Sequence, residues 1–208
     1  MSVLSTTTLR RRIYGLDGTG GDIHITPLLD VGQVAHSAVD IRLGRHFIVT
    51  RSTRLPSLDV MKMTDEGSVA TYQELIYVEF GDSFVLQAGY CALGSVLEYV
   101  SIPENVYAEV LTRSSWGRVD LTIATAVCVH PGYSGCLTLE LVNMSDAAIL
   151  LYPGTRVGQL VFHETDDPDP DAAHRGKYAA PTRPQFPKLH REVEELRKFS
   201  AVGLELKC

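Results

Sequence analysis

Arg113-Ser114-Ser115-Trp116-Gly117-Arg118 packs two guanidiniums and two hydroxyls into six consecutive positions, directly after the strand-like run from Tyr107 to Leu111. Side chains of these types flanking a chain reversal offer a fork of donors for phosphate oxygens, and the loop's backbone N–H groups add to it. The same hexapeptide also reads as a capped turn with solvated arginines. A second candidate is Glu140, within Gly135-Cys136-Leu137-Thr138-Leu139-Glu140-Leu141-Val142-Asn143. Leucines at 137, 139 and 141 share one face of a period-two strand, so Glu140 points to the other. A carboxylate inside an apolar strand has either a partner or a task, or lies on a solvated face. His130 heads the turn His130-Pro131-Gly132, where an imidazole can donate to a ligand hydroxyl or serve the structure alone.

Several chemistries are excluded or disfavoured by what surrounds these residues. The zinc-dependent nucleobase deaminases need H-x-E and P-C-x-x-C segments, and neither occurs. The four cysteines, Cys91, Cys128, Cys136 and Cys208, form no C-x-x-C pair and are expected to be reduced, without disulfides. Cys128 and Cys136 flank the His130 turn and Trp116 sits inside the serine loop, where small apolar or gap-filling roles are expected. A net charge of −6 argues against a broad nucleic-acid surface, yet allows a small anion held by local arginines. With 45% hydrophobic and 21% charged residues and no apolar run of about 20 residues, no membrane span is expected. The N-terminus MSVLSTTTLRRR lacks the pattern of a secretory signal, so a cytoplasmic location is expected.

The elements that must position these groups are mostly strands. From about residue 39 to 162 apolar and polar residues alternate, as in Val39, Ile41 and Leu43 against Asp40 and Arg42, which predicts strands with one buried face. Gly81-Asp82, Ala88-Gly89, Ile102-Pro103-Glu104-Asn105, His130-Pro131-Gly132 and Tyr152-Pro153-Gly154 supply the turns, the last two with Pro and Gly placed for type II. Many short strands between such turns indicate a sandwich, barrel or jelly-roll relative. Ser5, Leu9, Ile13 and Gly15 outline a short N-terminal helix lying on the sheet. After Phe162 the acidic, proline-bearing stretch from His163 to Asp171 reads as a linker or arm, and Leu189, Val193 and Leu196 recur at helical spacing. The length of 208 residues suits a single domain, with a core to about residue 165 and an arm plus helix from about 166.

Taken in order, RSSWGR at 113–118, Ala124-Thr125-Ala126, HPGYSG at 130–135, LTLELVN at 137–143 and LYPGTRVGQLVF at 151–162 resemble the dCTP deaminase family of the dUTPase-like superfamily. Ser37-Ala38-Val39-Asp40-Ile41-Arg42-Leu43-Gly44 resembles that family's S-x-V-D-(I/V)-R-L-G segment, and Gly176-Lys177-Tyr178 its C-terminal K-Y pair. The resemblance implies an all-β, distorted jelly-roll of the dUTPase type, assembled as a homotrimer with active sites between subunits. It implies hydrolysis of a cyclic amidine C–N bond, turning dCTP into dUTP and ammonia. Glu140 matches the family's general base, which activates water for attack at cytosine C4. Arg113, Ser114, Ser115 and Arg118 match the loop that orders this water and binds the nucleotide, and Arg118 further suits stabilising charge beside Glu140. Thr125 and Ala126 match pyrimidine contacts, Thr138 and Leu139 substrate contacts on the Glu140 strand, and Lys177 and Tyr178 groups that close over the triphosphate. Mg2+ is expected on the phosphates only, with no metal held by the protein and no zinc. dTTP is a candidate inhibitor.

The chain departs from the family pattern where His130 replaces the aspartate that holds the sugar and, in dUTPases, activates water at the phosphate. This disfavours a dUTP diphosphatase or a bifunctional, dUMP-forming enzyme. The interval from Arg118 to Glu140 is a residue short, no tyrosine precedes Lys177 in the arm, and the glutamine expected soon after the K-Y pair is displaced to Gln185. These changes keep a non-catalytic nucleotide-binding relative as an alternative.

Overall fold

The computed structural model describes residues 2–15, 21–51, 57–63, 68–69, 71–124, 128–166 and 180–201. In chain order the elements are β1 (Ser2–Val3), α1 (Thr6–Tyr14), β2 (His24–Thr26), β3 (Val34–Ala35), β4 (Ala38–Thr50), β5 (Gln73–Tyr77), β6 (Phe84–Leu86), β7 (Cys91–Ser101) and β8 (Val106–Thr112). They continue with the single helical turn α2 (Ser114–Gly117), β9 (Leu121–Ile123), β10 (Cys128–Val129), β11 (Ser134–Asn143), β12 (Ile149–Leu151), β13 (Arg156–Glu164) and α3 (His190–Ala201). The main sheet is antiparallel in the order β10-β8-β13-β4-β7-β11-β9, and β6 and β12 make a separate ribbon.

Curvature comes largely from β4. Its first half pairs with β13 and its second with β7 and β5, and between Leu43 and Phe47 the register against β7 slips. Extra residues on one strand bend it and raise its twist. Gly44 lies at the slip, where a Cβ would meet Ser95 Oγ at 2.5 Å and the carbonyl oxygens of Ser95 and Val96 at 3.0 Å. The sheet curls until its far strands meet: the Ile123 N–H on β9 donates to Thr112 Oγ1 on β8 at 2.8 Å. Inside the curl, Ile41, Leu43, Phe47, Leu139, Leu141, Leu160 and Phe162 are fully buried, and Phe47 stacks on Phe84 with ring centroids 4.2 Å apart. Each such side chain contributes roughly 1.5–3 kcal/mol relative to exposure.

Local chemistry follows the sequence at both turns and caps. Ser5 Oγ accepts the Thr8 N–H, and Gly15 closes α1 at φ 65° with its N–H on the Arg11 carbonyl. The Tyr133 N–H reaches the His130 carbonyl and the Thr155 N–H the Tyr152 carbonyl, with Gly132 and Gly154 at φ 74° and 90°. Among the described residues no helix is long and apolar enough to cross a membrane.

Three expectations change. Asp40, assigned to the open face of β4, is only 7% exposed, because β13 and β8 bring polar partners over it. His163 and Glu164, placed in a linker, still belong to β13, because β1 pairs with them and extends the sheet. Leu189 precedes α3 instead of lying within it, while Val193 is buried where α3 packs on the turn Val60–Lys62. The acidic stretch beyond Asp166, and Thr125, Ala126, Lys177 and Tyr178, lie outside the described residues.

Candidate active site

Glu140 sits on β11, a strand paired on one side with β7, where its Cα partner is Leu93, and on the other with β9 over Leu141–Asn143. The Ala124 N–H then donates to the Glu140 carbonyl at 2.8 Å, so the chain leading to Thr125 and Ala126 leaves β9 beside this glutamate. Leu137, Leu139 and Leu141 are buried and Glu140 is half-buried on the opposite face, as the alternation requires. Its charge is felt nearby: burial first, then the Glu140 carboxylate, push the Cys91 thiol above its ordinary value.

Thr138, also half-buried, has an unexpected neighbour. The segment from Pro181 to Gln185 runs along the edge of β11 that β9 leaves open: the Cys136 N–H donates to the Pro181 carbonyl at 2.6 Å, and the Gln185 N–H to Thr138 Oγ1 at 3.4 Å. Gly135 permits this approach, since at φ 150° a Cβ would lie 2.4 Å from Pro181 Cδ. Gln185, displaced in sequence from the family position, is therefore brought to the strand that carries Glu140.

The RSSWGR hexapeptide folds as α2 with Arg113 at its N-cap, and the Trp116 and Gly117 N–H groups return to the Arg113 carbonyl. Trp116 does more than fill a gap, for its Nε1–H donates to the Arg156 carbonyl at 2.8 Å and ties the turn to β13. Ser114, Ser115 and Arg118 are exposed, and among the described residues no ion pair joins Arg118 to Glu140 within the chain. Arg113 instead turns inward, its Nη1 3.3 Å from Asp40 Oδ2. Asp40 also takes Arg156 Nη1 at 3.1 Å and Gln159 Nε2 at 3.0 Å. Asp40, Arg156 and Gln159 were not singled out in the sequence. The available signal was a charge inside an apolar strand, in V-D-I-R-L-G, and polar positions inside R-V-G-Q-L.

His130 is exposed, with Nδ1 3.7 Å from Cys128 Sγ across the start of its turn. Tyr107 on β8, opposite this segment, is pushed up to about 12, first by burial and then by Glu109 and Cys128. A fully buried carboxylate, Glu98 on β7, lies deeper: Gln33 Nε2 donates to Oε1 at 2.8 Å and the Arg42 N–H to Oε2 at 2.9 Å. Burial raises its pKa, with those hydrogen bonds opposing.

The fold is a curled antiparallel sheet that presents arginines and hydroxyls around α2 and a half-buried glutamate on β11. The model of the dCTP deaminase-like family matches residues 3–165, and the chain belongs to this family. Among curated relatives, the dCTP deaminase of Natronomonas pharaonis is 39% identical over 197 residues, 92% of this chain and 97% of that protein. The dUMP-forming dCTP deaminase of Methanobrevibacter smithii is 38% identical over 169 residues, 81% and 83% of the two chains. Among solved structures, the 2'-deoxycytidine 5'-triphosphate deaminase from Agrobacterium tumefaciens shares the fold with a TM-score of 0.58 at 22% identity. That match covers 78% of this chain, which spans 47% of the other.

Proposed function

We propose that the chain hydrolyses dCTP to dUTP and ammonia, with Glu140 as the general base. The observation that carries this is the position of Glu140: half-buried, at the point where β9 departs from β11, in a chain homologous over nearly its full length to proteins named dCTP deaminase. In the proposed step Glu140 takes a proton from water as the water oxygen bonds to cytosine C4, and passes it to N3 as the C4=N3 double bond opens. The remaining hydroxyl proton then passes to the amino nitrogen, which leaves as ammonia as the bond from C4 to that nitrogen breaks and C4=O forms. Thr125 and Ala126 are the pyrimidine contacts, with Thr138 beside it and Leu139 contributing through its backbone, its side chain being buried on the other face of β11, and His130 donates to the sugar hydroxyl. Ser114 and Arg118 order the water, and Arg113 and Ser115 meet the phosphates, over which Lys177 and Tyr178 close and Gln185 packs. Mg2+ reaches the site on the triphosphate. No zinc takes part, and dTTP competes for the same pocket.

The working unit is a homotrimer. Ser114, Ser115 and Arg118 are exposed in one chain, which supports a site completed by a neighbouring subunit. Incubation with dCTP and Mg2+, followed by separation of dUTP, dUMP and unchanged substrate, tests the reading. dUTP with stoichiometric ammonia is expected; dUMP as the first product, or unchanged dCTP, overturns it.

A further inference from the structure

Three guanidiniums lie side by side at one rim of the sheet. Arg42 on β4 is the Cα partner of Arg156 on β13, and Arg113, just beyond β8, donates its backbone N–H to the Val157 carbonyl at 3.1 Å. Like charges on adjoining strands repel, so this row persists only with anions among its members. Asp30 Oδ2 pairs with Arg156 Nη2 and accepts Arg42 Nη2 at 2.9 Å. Asp40 Oδ2 lies 3.1 Å from Arg156 Nη1 and 3.3 Å from Arg113 Nη1, and Asp40 Oδ1 accepts Gln159 Nε2 at 3.0 Å. Three side chains, two from β13 and one from the N-cap of α2, thus converge on one carboxylate that is almost out of solvent. Arg113 and Arg156 keep 33% and 27% of their side-chain surface exposed. A guanidinium carries five N–H donors, so each retains several toward solvent after serving Asp40.

We propose that Asp40 is a positioning residue for polyphosphate: it holds Arg113, Arg156 and Gln159 as one preformed donor set, which the nucleotide's phosphates meet without displacing the carboxylate. This rests on the reading that Arg113 faces the nucleotide phosphates, and it extends the phosphate site to Arg156 on β13. Guanidiniums fixed in advance lose less rotamer freedom on binding, and three against two carboxylates leave the rim positive.

Calorimetric titration with inorganic tripolyphosphate tests this without relying on turnover, and dCTP deamination is assayed separately on the same preparations. The wild type is expected to bind tripolyphosphate, Asp40→Asn about tenfold more weakly, and Arg156→Gln also more weakly. In the double variant the two losses should not add, because Arg156 acts through the geometry that Asp40 imposes; general structural damage would add to the loss of Arg156. A wild type that ignores tripolyphosphate, an Asp40→Asn chain that binds it equally or more tightly, or strict additivity overturns the proposal. If Asp40→Asn proves unfolded by circular dichroism, unchanged affinity in the folded Arg156→Gln chain overturns it and weakened affinity sustains it. Tripolyphosphate binding without dCTP turnover would sink the deaminase reading and leave this one standing.

Discussion

Replacing Glu140 by Gln separates the chemistry from the architecture. The side chain keeps its size and reach, and the bond that Glu140 makes to β9 runs through its backbone carbonyl, so the strand pairing does not depend on the carboxylate. Stability is expected to stay within about 0.5 kcal/mol, as for most half-exposed isosteric changes. The base is lost, and a positioned base contributes about 10²- to 10⁴-fold, which corresponds to roughly 2.7–5.5 kcal/mol of barrier. Ammonia release from dCTP should therefore fall at least about 100-fold while calorimetric dCTP affinity is retained. A second readout is independent of turnover. The Glu140 charge helps to raise the Cys91 thiol, so neutralising it moves that thiol back down and speeds its alkylation at a fixed, mildly alkaline pH. Near wild-type ammonia release from a variant with faster Cys91 alkylation would show that the carboxylate was removed and was not the base.

Three further outcomes follow from particular contacts. Burial raises the Glu98 pKa, so its contribution is fully present below the ordinary glutamate value of about 4.3 and is lost as pH rises through the folded value; the urea midpoint of the wild type should fall as pH rises above that ordinary value by more than that of Glu98→Gln, at equal protein concentration, and parallel slopes would contradict this. Gly135→Ala places a Cβ against Pro181 at a backbone angle that side chains rarely adopt; it should lift the segment from Pro181 to Gln185 off β11, read as loss of hydrogen-exchange protection at the Cys136 amide. A zinc-selective chelator should leave deamination intact, whereas removing Mg2+ should raise the KM for dCTP; inhibition reversed by zinc alone would refute the metal assignment.

The strands were legible because their signals are local. Leu137, Leu139 and Leu141 alternate with Glu140, and Pro-Gly pairs mark turns whose glycines adopt the required positive φ. The catalytic candidates were legible only as ordered motifs, since neither RSSWGR nor a lone strand glutamate chooses its own role. The Asp40 set escaped because its partners, Arg156 and Gln159, lie 116 and 119 positions away. Period-two alternation assigns Asp40 to a face without saying what neighbouring strands place on that face. Glu98 escaped for a related reason: the turn around Gln33 and the Arg42 amide reach it only after β4 has paired with β7.

The RSSWGR hexapeptide does two different jobs within six positions, and the fold explains the division. α2 is a single turn, so Arg113 at its N-cap and Arg118 at its C-cap leave it in different directions. Arg113 stays with β13 through the Val157 carbonyl and is captured by Asp40, while Trp116 bonds the Arg156 carbonyl and fixes the turn against the same strand. Ser114, Ser115 and Arg118 are then carried outward on a rigid base. Rigid anchoring behind exposed polar groups is the arrangement that the proposed shared site would need. Groups presented across a subunit boundary cannot be ordered by the substrate alone without giving up affinity to rotamer entropy. Trp116→Phe, which removes the donor to the Arg156 carbonyl, should therefore weaken turnover more than it weakens the fold.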